Sequence, residues 1–583
     1  MKRYCQPREW KKRSDDLTDI EEQIELLVSQ SGLSPVTLRV CVQRGIDTSE
    51  KIKEYLSPSL QSLKDPFSIQ DMDLAVERLS LAKEQKDFIR IYGDYDVDGT
   101  TSVALLTWFF RDLEFEFDGV QPDRFKDGYG LNVPAIEKAH QDGVKVLVTV
   151  DCGITNHEAA QRAKDLGIDV IIVDHHQVDP QKGIPVATAV VNPHRKDCQS
   201  GLKELCGCGL AFYLCIALRS FGRKQGWFEN KKEPNLKEHL DLVVIATAAD
   251  LVPLVGDNRT LVRQGMEVLK RTKKPGVNAL MEVAGLAFRS VSPGHLGFVL
   301  GPRINASGRM GSASLALNLL KSQDFIAAVE LAHQIEKVNQ ERIATQNEIW
   351  DEVRLRVEKG IDDGKFKHAV VVADQNWHEG VVGIVASKVT ETFQKPAIII
   401  SLREDFGKAS VRSYGGKNVL EGLRACDSYL KAYGGHAYAA GLSIDFENVD
   451  PFIEAFDKAM GEIVSIKEQL LLWTEGECKL SDFDLKTLHE LESLGPFGPG
   501  NPEPVFTLEA SVKSKQILKE RHLKMQLSHQ GKTVEAIWFH AAERKDFLSE
   551  ISQKQASFWA GVPELNRFRG KVTPTFRVRD WRA

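Results

Sequence analysis

The chain has 583 residues, a formal net charge of −6, and 42% hydrophobic and 27% charged residues, which is ordinary for a globular protein. At about 150 residues per domain, this length predicts three or four domains. The sequence has no run of about 18 apolar residues and no apolar core near its N-terminus, so we expect neither a transmembrane helix nor a signal peptide, and we predict a cytoplasmic location.

The first part of the chain changes from helical to alternating patterns. Residues 1–70 are predicted to form a helical segment, with spaced Ile and Leu among Glu and Gln. From residue 88, short apolar stretches rich in β-branched residues alternate with helical ones: FIRIY (88–92), VKVLVTV (144–150) and DVIIV (169–173). This alternation predicts a parallel sheet covered on both faces, within an α/β domain at residues 71–320.

Acidic side chains and histidines follow each of these three strands. They are Asp94, Asp96 and Asp98 after the first strand, Asp151 after the second, and Asp174, His175 and His176 after the third. Carboxyl ends of parallel strands meet at one edge of a sheet, where α/β proteins bind ligands. Because clustered carboxylates repel one another unless a cation is present, the pattern predicts a metal site at this edge.

The residue types narrow the metal and the reaction. Carboxylate oxygens with one or two imidazoles favour Mn²⁺ or Mg²⁺ over metals that prefer thiolates. Two such ions about 4 Å apart can hold an attacking water and the departing oxygen of a phosphodiester. Asp250 follows a helical stretch and precedes a proline, and it is equally compatible with metal binding and with a structural role. A phosphate-binding GxxxxGK[ST] loop, a GxGxxG turn and an EF-hand loop are excluded by residue type.

Nine cysteines at irregular spacing do not indicate a disulfide framework. The one cluster consists of Cys198, Cys206, Cys208 and Cys215. A zinc site is conceivable there, but without a second close pair the spacing favours buried, reduced thiols.

A long helix is predicted between two α/β domains. Residues 322–360 contain no Pro, and no Gly before Gly360, while apolar residues recur at helical spacing. This predicts one helix of about 35 residues, about 50 Å long, that ends at Gly360. We assign residues 321–360 to this connector.

Beyond the connector, strands HAVVVAD (368–374) and AIIIS (397–401) predict a second α/β domain at residues 361–464. GPFGPGNPEP (495–504) has four Pro and three Gly, which indicates a boundary. Short strands then follow, with a turn at His529-Gln530-Gly531, and predict an OB-like barrel within residues 465–583. The predicted fold class is therefore α/β: two α/β domains with mainly parallel sheets, a long joining helix and a C-terminal barrel.

The tail combines positive charge with aromatic residues, as single-strand-binding barrels do. Residues 511–583 carry 15 Lys and Arg against 7 Asp and Glu, a net charge of +8. Phosphate contacts are predicted for Arg567, Arg569, Lys571, Arg577 and Arg579. The aromatic residues are Trp538, Phe539, Phe558, Trp559, Phe568, Phe576 and Trp581; we expect most in the core and two or three facing a nucleic acid.

The motifs around Asp94, Asp151 and Asp174 resemble those of the DHH phosphoesterase superfamily. Further segments resemble its RecJ exonuclease group: GYGLN (128–132), VVNPH (190–194), GCGLAFYL (207–214), GPRINASGRM (301–310), GVVGIVASK (380–388), SVRS (410–413), GGHAYAAG (434–441) and GPFGPGNPEP. The resemblance covers about residues 85–505, and the barrel-like tail agrees with it.

This resemblance implies a DHH catalytic domain at 71–320, a DHHA1 substrate-binding domain at 361–464, and a 5′→3′ exonuclease that uses two metal ions. Such an enzyme releases 5′-mononucleotides from single-stranded DNA during recombination and repair. It would act as a monomer, with a single-strand-binding protein and a helicase as partners. The implied metal ligands are Asp96, Asp98, Asp151, His175 and Asp250. Asp94 would ligate or orient a ligand, and His176 would touch the scissile phosphate, although a packed, supporting imidazole is the alternative.

The resemblance also implies phosphate-binding groups. They are Arg303, Asn305, Ser307 and Arg309, predicted in a loop bounded by Gly and Pro; Arg412 and Ser413; Gly434, Gly435 and His436; and Lys388. Glycines let backbone N–H groups approach a phosphate. Lys388 stands where many relatives have Arg, so it keeps the charge but loses the bidentate fork.

Two other functions remain open on the sequence. One is a DHH enzyme acting on oligoribonucleotides or cyclic dinucleotides. The other is a non-catalytic, RecJ-like scaffold, against which the retained acidic residues and His175 argue. The sequence does not decide between Mn²⁺ and Mg²⁺.

Overall fold

The structure is a computed structural model that describes residues 8–13, 18–128, 130–287, 291–311, 314–464, 471–541, 556–568 and 570–582. It divides into two compact units. Unit A consists of Pro58–Arg342 and Pro496–Pro502, and unit B of the chain up to Ser57, Ile343–Gly495 and the chain from Glu503 onward. Within the described ranges, no helix has the length and apolar character needed to cross a membrane.

The helices are numbered in chain order. They are α1 (Thr18–Ser31), α2 (Pro35–Gln43), α3 (Ser49–Leu56), α4 (Met72–Gln85), α5 (Val97–Asp112), α6 (Val133–Gln141), α7 (His157–Asp165), α8 (Gly207–Lys224), α9 (Leu240–Ala249), α10 (Gly256–Leu269), α11 (Pro275–Val283), α12 (Pro293–His295), α13 (Gly301–Met310), α14 (Ser314–Leu320), α15 (Phe325–Asp362), α16 (Val382–Phe393), α17 (Val419–Arg424), α18 (Val449–Glu462) and α19 (Leu485–Ser493).

The strands are numbered in the same way. They are β1 (Glu9–Lys12), β2 (Ile89–Gly93), β3 (Phe117–Val120), β4 (Val146–Val150), β5 (Asp169–Val173), β6 (Ala189–Val191), β7 (Val370–Asp374), β8 (Ala397–Leu402), β9 (Phe406–Arg412), β10 (Leu430–Gly435), β11 (Ala439–Asp445), β12 (Leu471–Thr474), β13 (Phe506–Leu518), β14 (His522–His529), β15 (Lys532–Trp538), β16 (Ser557–Phe568) and β17 (Lys571–Arg582).

Unit A contains a five-stranded sheet in the order β3-β2-β4-β5-β6, with every pair parallel. The central strands are buried on both faces, because alternate side chains enter two different cores. Ile91 and Val148 join the core that holds α4, α5, α8 and α9. Tyr92 and Leu147 join the core that holds α6 and α7. The predicted parallel sheet with helices on both faces is confirmed.

Residues 301–310 form a helix, α13, and the prediction of a loop there is wrong. A π-helical turn, Leu296–Leu300, leads into it. Pro302 lies in the first turn of α13, and the π-helical turn before it continues into this helix without a break, so the proline is accommodated within a helical run over residues 293–310. The Gly-Pro pair therefore lies within a helix instead of bounding a loop.

The long connector helix is present as α15, with 38 residues. It begins later than predicted, at Phe325, where the Asp324 carboxylate accepts a hydrogen bond from the Ala327 N–H at 2.7 Å. It continues past Gly360, so the predicted stop there is wrong. A Cβ at Gly360 would lie 2.3 Å from Phe366 Cε2, which indicates that this glycine is needed for close packing rather than for ending the helix.

Unit B contains a mixed sheet and a closed barrel. The sheet has the order β10-β11-β9-β8-β7; only β7 and β8 are parallel, so this sheet differs from the mainly parallel one expected. The barrel has the order β13-β14-β15-β17-β16, which confirms the OB-like barrel. The turn after His529 is formed by Gln530 and Gly531, both with positive φ, as its sequence predicts.

The predicted domain boundaries stay predictions. Two features of the structure bear on how the chain is divided. Strand β1 pairs with β12, so the first residues of the chain contribute to unit B. The Pro- and Gly-rich segment Pro496–Pro502 clusters with unit A rather than forming a linker free of both units.

Candidate metal centre

The predicted acidic edge is present at the carboxyl ends of β2, β4 and β5. The turn from β2 into α5 is tight, and a Cβ at Gly99 would lie 2.3 Å from the carbonyl oxygen of Asp94. Only glycine therefore allows this turn, which explains why Gly99 follows the third aspartate. Asp151 comes directly after β4 and has a φ of +58°, an uncommon conformation for a residue other than glycine.

Two groups of side chains can each hold a metal ion, with ligand atoms within 4.8 Å of one another. One group is Asp94, Asp96 and Asp151; the other is Asp98, His175 and Asp250. A third, overlapping group contains Asp151, His175 and His176. The structure thus brings together all seven residues predicted for the metal centre.

His175 lies where the groups meet. Its Nε2 is 3.1 Å from Asp151 Oδ1, 3.7 Å from Asp98 Oδ2 and 3.9 Å from Asp250 Oδ2. An imidazole nitrogen that faces three carboxylates at such distances can share a cation with them. The arrangement suits two ions that share the residues between them.

Burial and mutual repulsion disfavour the charged forms of these carboxyl groups. Burial, and then the charge of Asp96, raises the pKa of Asp94 to about 8. Burial, and then the charges of Asp98 and Asp96, raises the pKa of Asp250 to about 8. Burial and the neighbouring aspartates also raise the pKa values of Asp96 and Asp151. Divalent cations would supply the positive charge that allows the whole cluster to ionise.

Two buried oxygens in the cluster have no hydrogen-bond donor among the described residues. They are Asp94 Oδ1 and Asp151 Oδ1; His175 Nε2 lies 3.1 Å from the latter but forms no hydrogen bond with it. An unpartnered buried carboxylate oxygen is costly, and a metal ion is one of the few partners that satisfies it. The donor set therefore fits oxygen-preferring divalent ions such as Mn²⁺ and Mg²⁺.

Asp174 orients its neighbours. Its Oδ2 accepts the Ile154 N–H at 2.9 Å, and its Oδ1 accepts the His176 N–H at 3.0 Å and lies 2.7 Å from His176 Nδ1. Burial disfavours a charged His176 ring, but the hydrogen bond and charge of Asp174 outweigh it and raise the pKa of His176 to about 9. A cationic, half-exposed imidazole is suited to an anion, and the phosphate contact of His176 stays a prediction.

Asp98 has a second role that the sequence analysis missed. Its Oδ2 accepts the Gly207 N–H at 2.6 Å and its Oδ1 accepts the Cys208 N–H at 2.8 Å, at the first turn of α8. A Cβ at Gly207 would lie 2.7 Å from Asp151 Cβ. The sequence offers one hint of this contact, the small-residue run GCG at the start of a helical stretch. Small residues are required there because the first turn of α8 packs against the aspartates of the metal centre.

The phosphate-binding residues predicted in unit A have internal partners. Arg303 Nε donates to Glu336 at 2.7 Å, and Arg303 Nη1 to the Val299 carbonyl at 2.8 Å. Ser307 is buried and donates to the Ile304 carbonyl at 3.0 Å. Asn305 and Arg309 are partly buried on the same helix. Burial raises the pKa of the partly buried Tyr95, and the charge of Arg309 opposes this rise. Since these residues lie on α13, their backbone N–H groups are largely used within the helix, and their phosphate contacts stay predictions.

The predicted residues of unit B lie around one β-hairpin. Gly434 and Gly435 end β10, and the His436 N–H donates to the Ala439 carbonyl at 2.8 Å. Gly435 has a φ of +142°, and a Cβ there would lie 2.4 Å from the Ala439 oxygen, whereas a Cβ at Gly434 would meet nothing within 4 Å. Gly435 is therefore required for the tight approach of the two strands, whereas Gly434 faces open space.

Arg412 and Ser413 lie beside this hairpin. Arg412 pairs with Ala439 across β9 and β11, and the Ser413 N–H donates to the Tyr438 carbonyl at 2.9 Å. Lys388 stands apart from them on α16, with its Nζ 4.4 Å from the centre of the Trp350 ring. The structure thus brings Arg412 and Ser413 next to the glycine hairpin, and their phosphate contacts stay predictions.

The four clustered cysteines are buried in the unit A core. Among the described residues, the groups able to hold a metal contain only aspartates and histidines. Burial raises the pKa of the Cys206, Cys208 and Cys215 thiols. These observations favour the structural thiols over the zinc site.

The barrel separates its aromatic residues into core and surface. Trp538, Trp559 and Phe576 are buried, whereas Phe539, Phe558 and Phe568 are 47%, 45% and 64% exposed.

The arginines of the barrel are engaged by acidic residues. Arg567 pairs with Glu492, Arg577 with Glu503 and Glu564, and Arg579 with Glu503. Lys571 is exposed, and Arg569 lies outside the described residues. The predicted phosphate contacts of the three paired arginines would require these ion pairs to open.

Family profiles match three parts of the chain. The family profile for the DHH family, N-terminal domain, matches residues 88–247, that for the DHHA1 domain matches residues 363–462, and that for the RecJ OB domain matches residues 474–580.

Curated relatives and solved structures match over most of the chain. The single-stranded-DNA-specific exonuclease RecJ of Bacillus subtilis is 34% identical, covering 96% of this chain and 69% of that protein. The Haemophilus influenzae protein of the same name is 35% identical, covering 88% and 91%. A crystal structure of Thermus thermophilus RecJ in complex with Mn²⁺ matches with a TM-score of 0.80 and 27% identity, covering 97% of this chain and 78% of that one. The structure of the same protein with Mg²⁺ matches with a TM-score of 0.74 and 25% identity, covering 97% and 77%.

Proposed function

The chain belongs to the RecJ family of single-stranded-DNA-specific exonucleases, and we propose that it hydrolyses single-stranded DNA from the 5′ end with two divalent cations. The observation that carries this proposal is the convergence of aspartates and histidines from three strand ends and from the end of α9 on one sheet edge. Mn²⁺ and Mg²⁺ are the ions bound by the Thermus thermophilus relative, and the donor set of this chain fits both.

We assign the residues of the centre to separate roles. Asp94, Asp96 and Asp151 would hold one ion, and Asp98, His175 and Asp250 the other. The bound ions would offset charge on the phosphate and lower the pKa of the attacking water. Asp174 holds the His176 ring in its charged form, so that His176 can donate a hydrogen bond to the scissile phosphate.

Binding of the strand is assigned to residues of both units. In unit B, Gly434, Gly435 and His436 with Arg412 and Ser413 would bind phosphates of the DNA, because Arg412 lies on the strand next to the hairpin and Gly434 leaves open space there. Lys388 would add a charge without a bidentate contact. In unit A, Arg303, Asn305, Ser307 and Arg309 stay candidates for the same task. The exposed aromatic residues of the barrel would stack on bases.

The biological setting follows from the family resemblance and is part of the proposal. The enzyme would release 5′-mononucleotides during DNA recombination and repair in the cytoplasm. It would work as a monomer together with a single-strand-binding protein and a helicase, since a single-strand-specific nuclease needs unwound DNA. The alternatives, a dinucleotide-type phosphodiesterase or a non-catalytic scaffold, are not favoured, because the family profiles match the DHH domain, the DHHA1 domain and the RecJ barrel together.

The proposal is tested by digestion of single strands labelled at either end, with Mn²⁺ or Mg²⁺, by wild type and by Asp250→Ala. We expect a 5′ label to be released at once as a mononucleotide and a 3′ label to stay on shortening strands. Asp250→Ala should lose activity with its fold intact. Release of the 3′ label first, equal attack on blunt duplex, faster cleavage of dinucleotides than of long strands, or an unaffected Asp250→Ala enzyme would each contradict a stated part of the proposal.

A further inference from the structure

Asp250 is the most exposed aspartate of the metal centre. Its side chain is 29% exposed, against 2% for Asp98 and 3% for Asp151. Among the described residues, no hydrogen-bond donor reaches its carboxylate, whereas Asp98 accepts two backbone N–H groups. The position of this carboxylate therefore depends on the backbone that carries it.

That backbone leaves the helix directly. The Asp250 N–H still donates to the Ala246 carbonyl at 2.9 Å, but Leu251 has a φ of +57° and ends α9. The loop from Leu251 to Val255 then runs to α10. Leu251 is 53% exposed, so its side chain does little to anchor the turn. A non-glycine residue in this conformation persists only where the surroundings hold it.

A distant segment of the chain holds this loop. The Leu254 N–H donates to the Pro499 carbonyl at 2.7 Å, 245 residues further along the sequence. A Cβ at Gly500 would lie 3.0 Å from Pro253 Cβ and 3.1 Å from Val255 Cγ1. A Cβ at Gly498 would lie 2.8 Å from Leu254 Cδ1. The glycines of this segment thus permit backbone-to-loop contact that other residues would prevent.

The segment keeps its own shape. Gly498 and Asn501 exchange backbone hydrogen bonds at 2.9 and 3.1 Å, and Asn501 Nδ2 donates to the Pro496 carbonyl at 2.8 Å. Asn501 is 3% exposed. Prolines at 496, 499 and 502 fix three of the seven φ angles. A segment restricted in this way can act as a template for the loop it contacts.

We propose that Pro496–Pro502 is a positioning element for Asp250: it fixes the Leu251–Val255 loop so that the Asp250 carboxylate faces Asp98 and His175 at the distance a shared ion needs. The inference rests on the proposed role of Asp250 as a metal ligand. On this proposal, Pro496–Pro502 contributes to metal binding and is not simply a boundary between domains.

The test variant is Gly500→Ala, which pushes against Pro253 and Val255. Its matched control is Gly143→Ala, a glycine of unit A with a φ of +79° and nothing within 4 Å of the added Cβ. Both variants force alanine into the left-handed region, at similar cost, but only the first presses on the loop. Mn²⁺ binding is measured without DNA from the electron paramagnetic resonance signal of free Mn²⁺, beside melting temperature and single-strand affinity in EDTA.

We expect Gly500→Ala to weaken Mn²⁺ binding about tenfold at the ion that Asp98, His175 and Asp250 would share, as loss of support for a ligand typically does. Gly143→Ala should change the Mn²⁺ affinity less than about twofold. Its backbone strain resembles that of Gly500→Ala, but the added methyl group contacts no other residue. Both variants should keep the same single-strand affinity in EDTA. Equal Mn²⁺ affinities for the two alanine variants would overturn the inference.

A double variant separates this inference from the proposed function. If the segment acts through Asp250, Gly500→Ala should have no further effect on Mn²⁺ binding when combined with Asp250→Ala. Additive losses would show that the segment acts elsewhere. If Asp250→Ala alone left Mn²⁺ binding unchanged, the assignment of Asp250 as a ligand would be wrong, whatever Gly500→Ala does.

Discussion

Asp98 connects the metal centre to the start of a helix 109 residues away in sequence. Both of its oxygens accept N–H groups of α8, so its charge is offset by the positive end of that helix as well as by any bound ion. Asp250 lies in the same group of ligands without such bonds. Substitution of these two aspartates should therefore have different effects on the stability of the protein.

Asp98→Ala should lower both activity and stability, whereas Asp250→Ala should lower activity alone. Removal of Asp98 leaves two buried N–H groups without acceptors, at about 1–3 kcal/mol each. The measurement is the melting temperature of both variants in EDTA, with nuclease activity in Mn²⁺. Equal melting temperatures for the two variants would show that the bonds to α8 contribute nothing to stability.

The raised pKa values of Asp94 and Asp250, each about 8, predict how metal-free stability depends on pH. The folded protein holds these protons to a higher pH than the unfolded chain, so the contribution of these groups to stability falls as pH rises from about 4 to 8. Saturating Mn²⁺ should remove this loss, since the ions bind the deprotonated forms.

The measurement compares melting temperature against pH in EDTA and in Mn²⁺, for wild type and Asp250→Asn. The variant should show the smaller fall with pH in EDTA, because one of the two titrating groups is gone. A slope in EDTA that is identical for both proteins would show that Asp250 does not titrate in this range.

At the scale of elements, two adjacent glycines in the hairpin of β10 and β11 have different expected roles. Gly435 is expected to contribute to stability, and Gly434 to DNA binding. Gly435→Ala should destabilise unit B by about 1–3 kcal/mol, because it combines an unfavourable φ with a clash against the next strand. Gly434→Ala should leave the melting temperature unchanged, yet weaken single-strand binding, since the added methyl group occupies open space at the proposed phosphate contact. Binding measured in EDTA by fluorescence anisotropy checks both. Unaltered DNA affinity of Gly434→Ala would remove this glycine from the substrate surface.

Local sequence patterns were sufficient for much of this fold. The strands β2, β4 and β5 and the acidic edge were predictable because each depends on a few adjacent residues and on the rule that parallel strands end together. The helix at 301–310 was not, since Gly and Pro indicate a turn as readily as a first helical turn. The bonds from Asp98 to Gly207 and from Leu254 to Pro499 were also beyond reach, because they join residues that no local pattern relates.

Over the whole molecule, charge is distributed unevenly: the chain carries −6 in total but +8 in residues 511–583. Part of this positive charge is already neutralised inside unit B, where Glu503 pairs with both Arg577 and Arg579 and Glu492 pairs with Arg567. The cationic surface available to DNA is therefore smaller than the sequence suggests.

Lys571→Gln should reduce the salt dependence of single-strand binding, and Arg577→Gln should not. Each lost phosphate contact lowers the slope of log K against log salt by about 0.7 for a single strand. Lys571 is exposed, whereas Arg577 is held by Glu503 and Glu564, so its loss should instead lower the melting temperature. Titrations over a range of salt concentrations measure both slopes, and a reduced slope for Arg577→Gln would mean that its ion pairs open on DNA.

Unit A is not encoded by one uninterrupted stretch, because residues 496–502 return to it after the chain has built most of unit B. A fragment that stops near residue 342 would contain every aspartate and histidine of the metal centre and still lack the peptide that braces the Asp250 loop. Expression of the nuclease core on its own should therefore include this peptide, either fused through a short linker or added in trans. A chimeric protein that contains only the N-terminal half of this chain would have an incompletely assembled site.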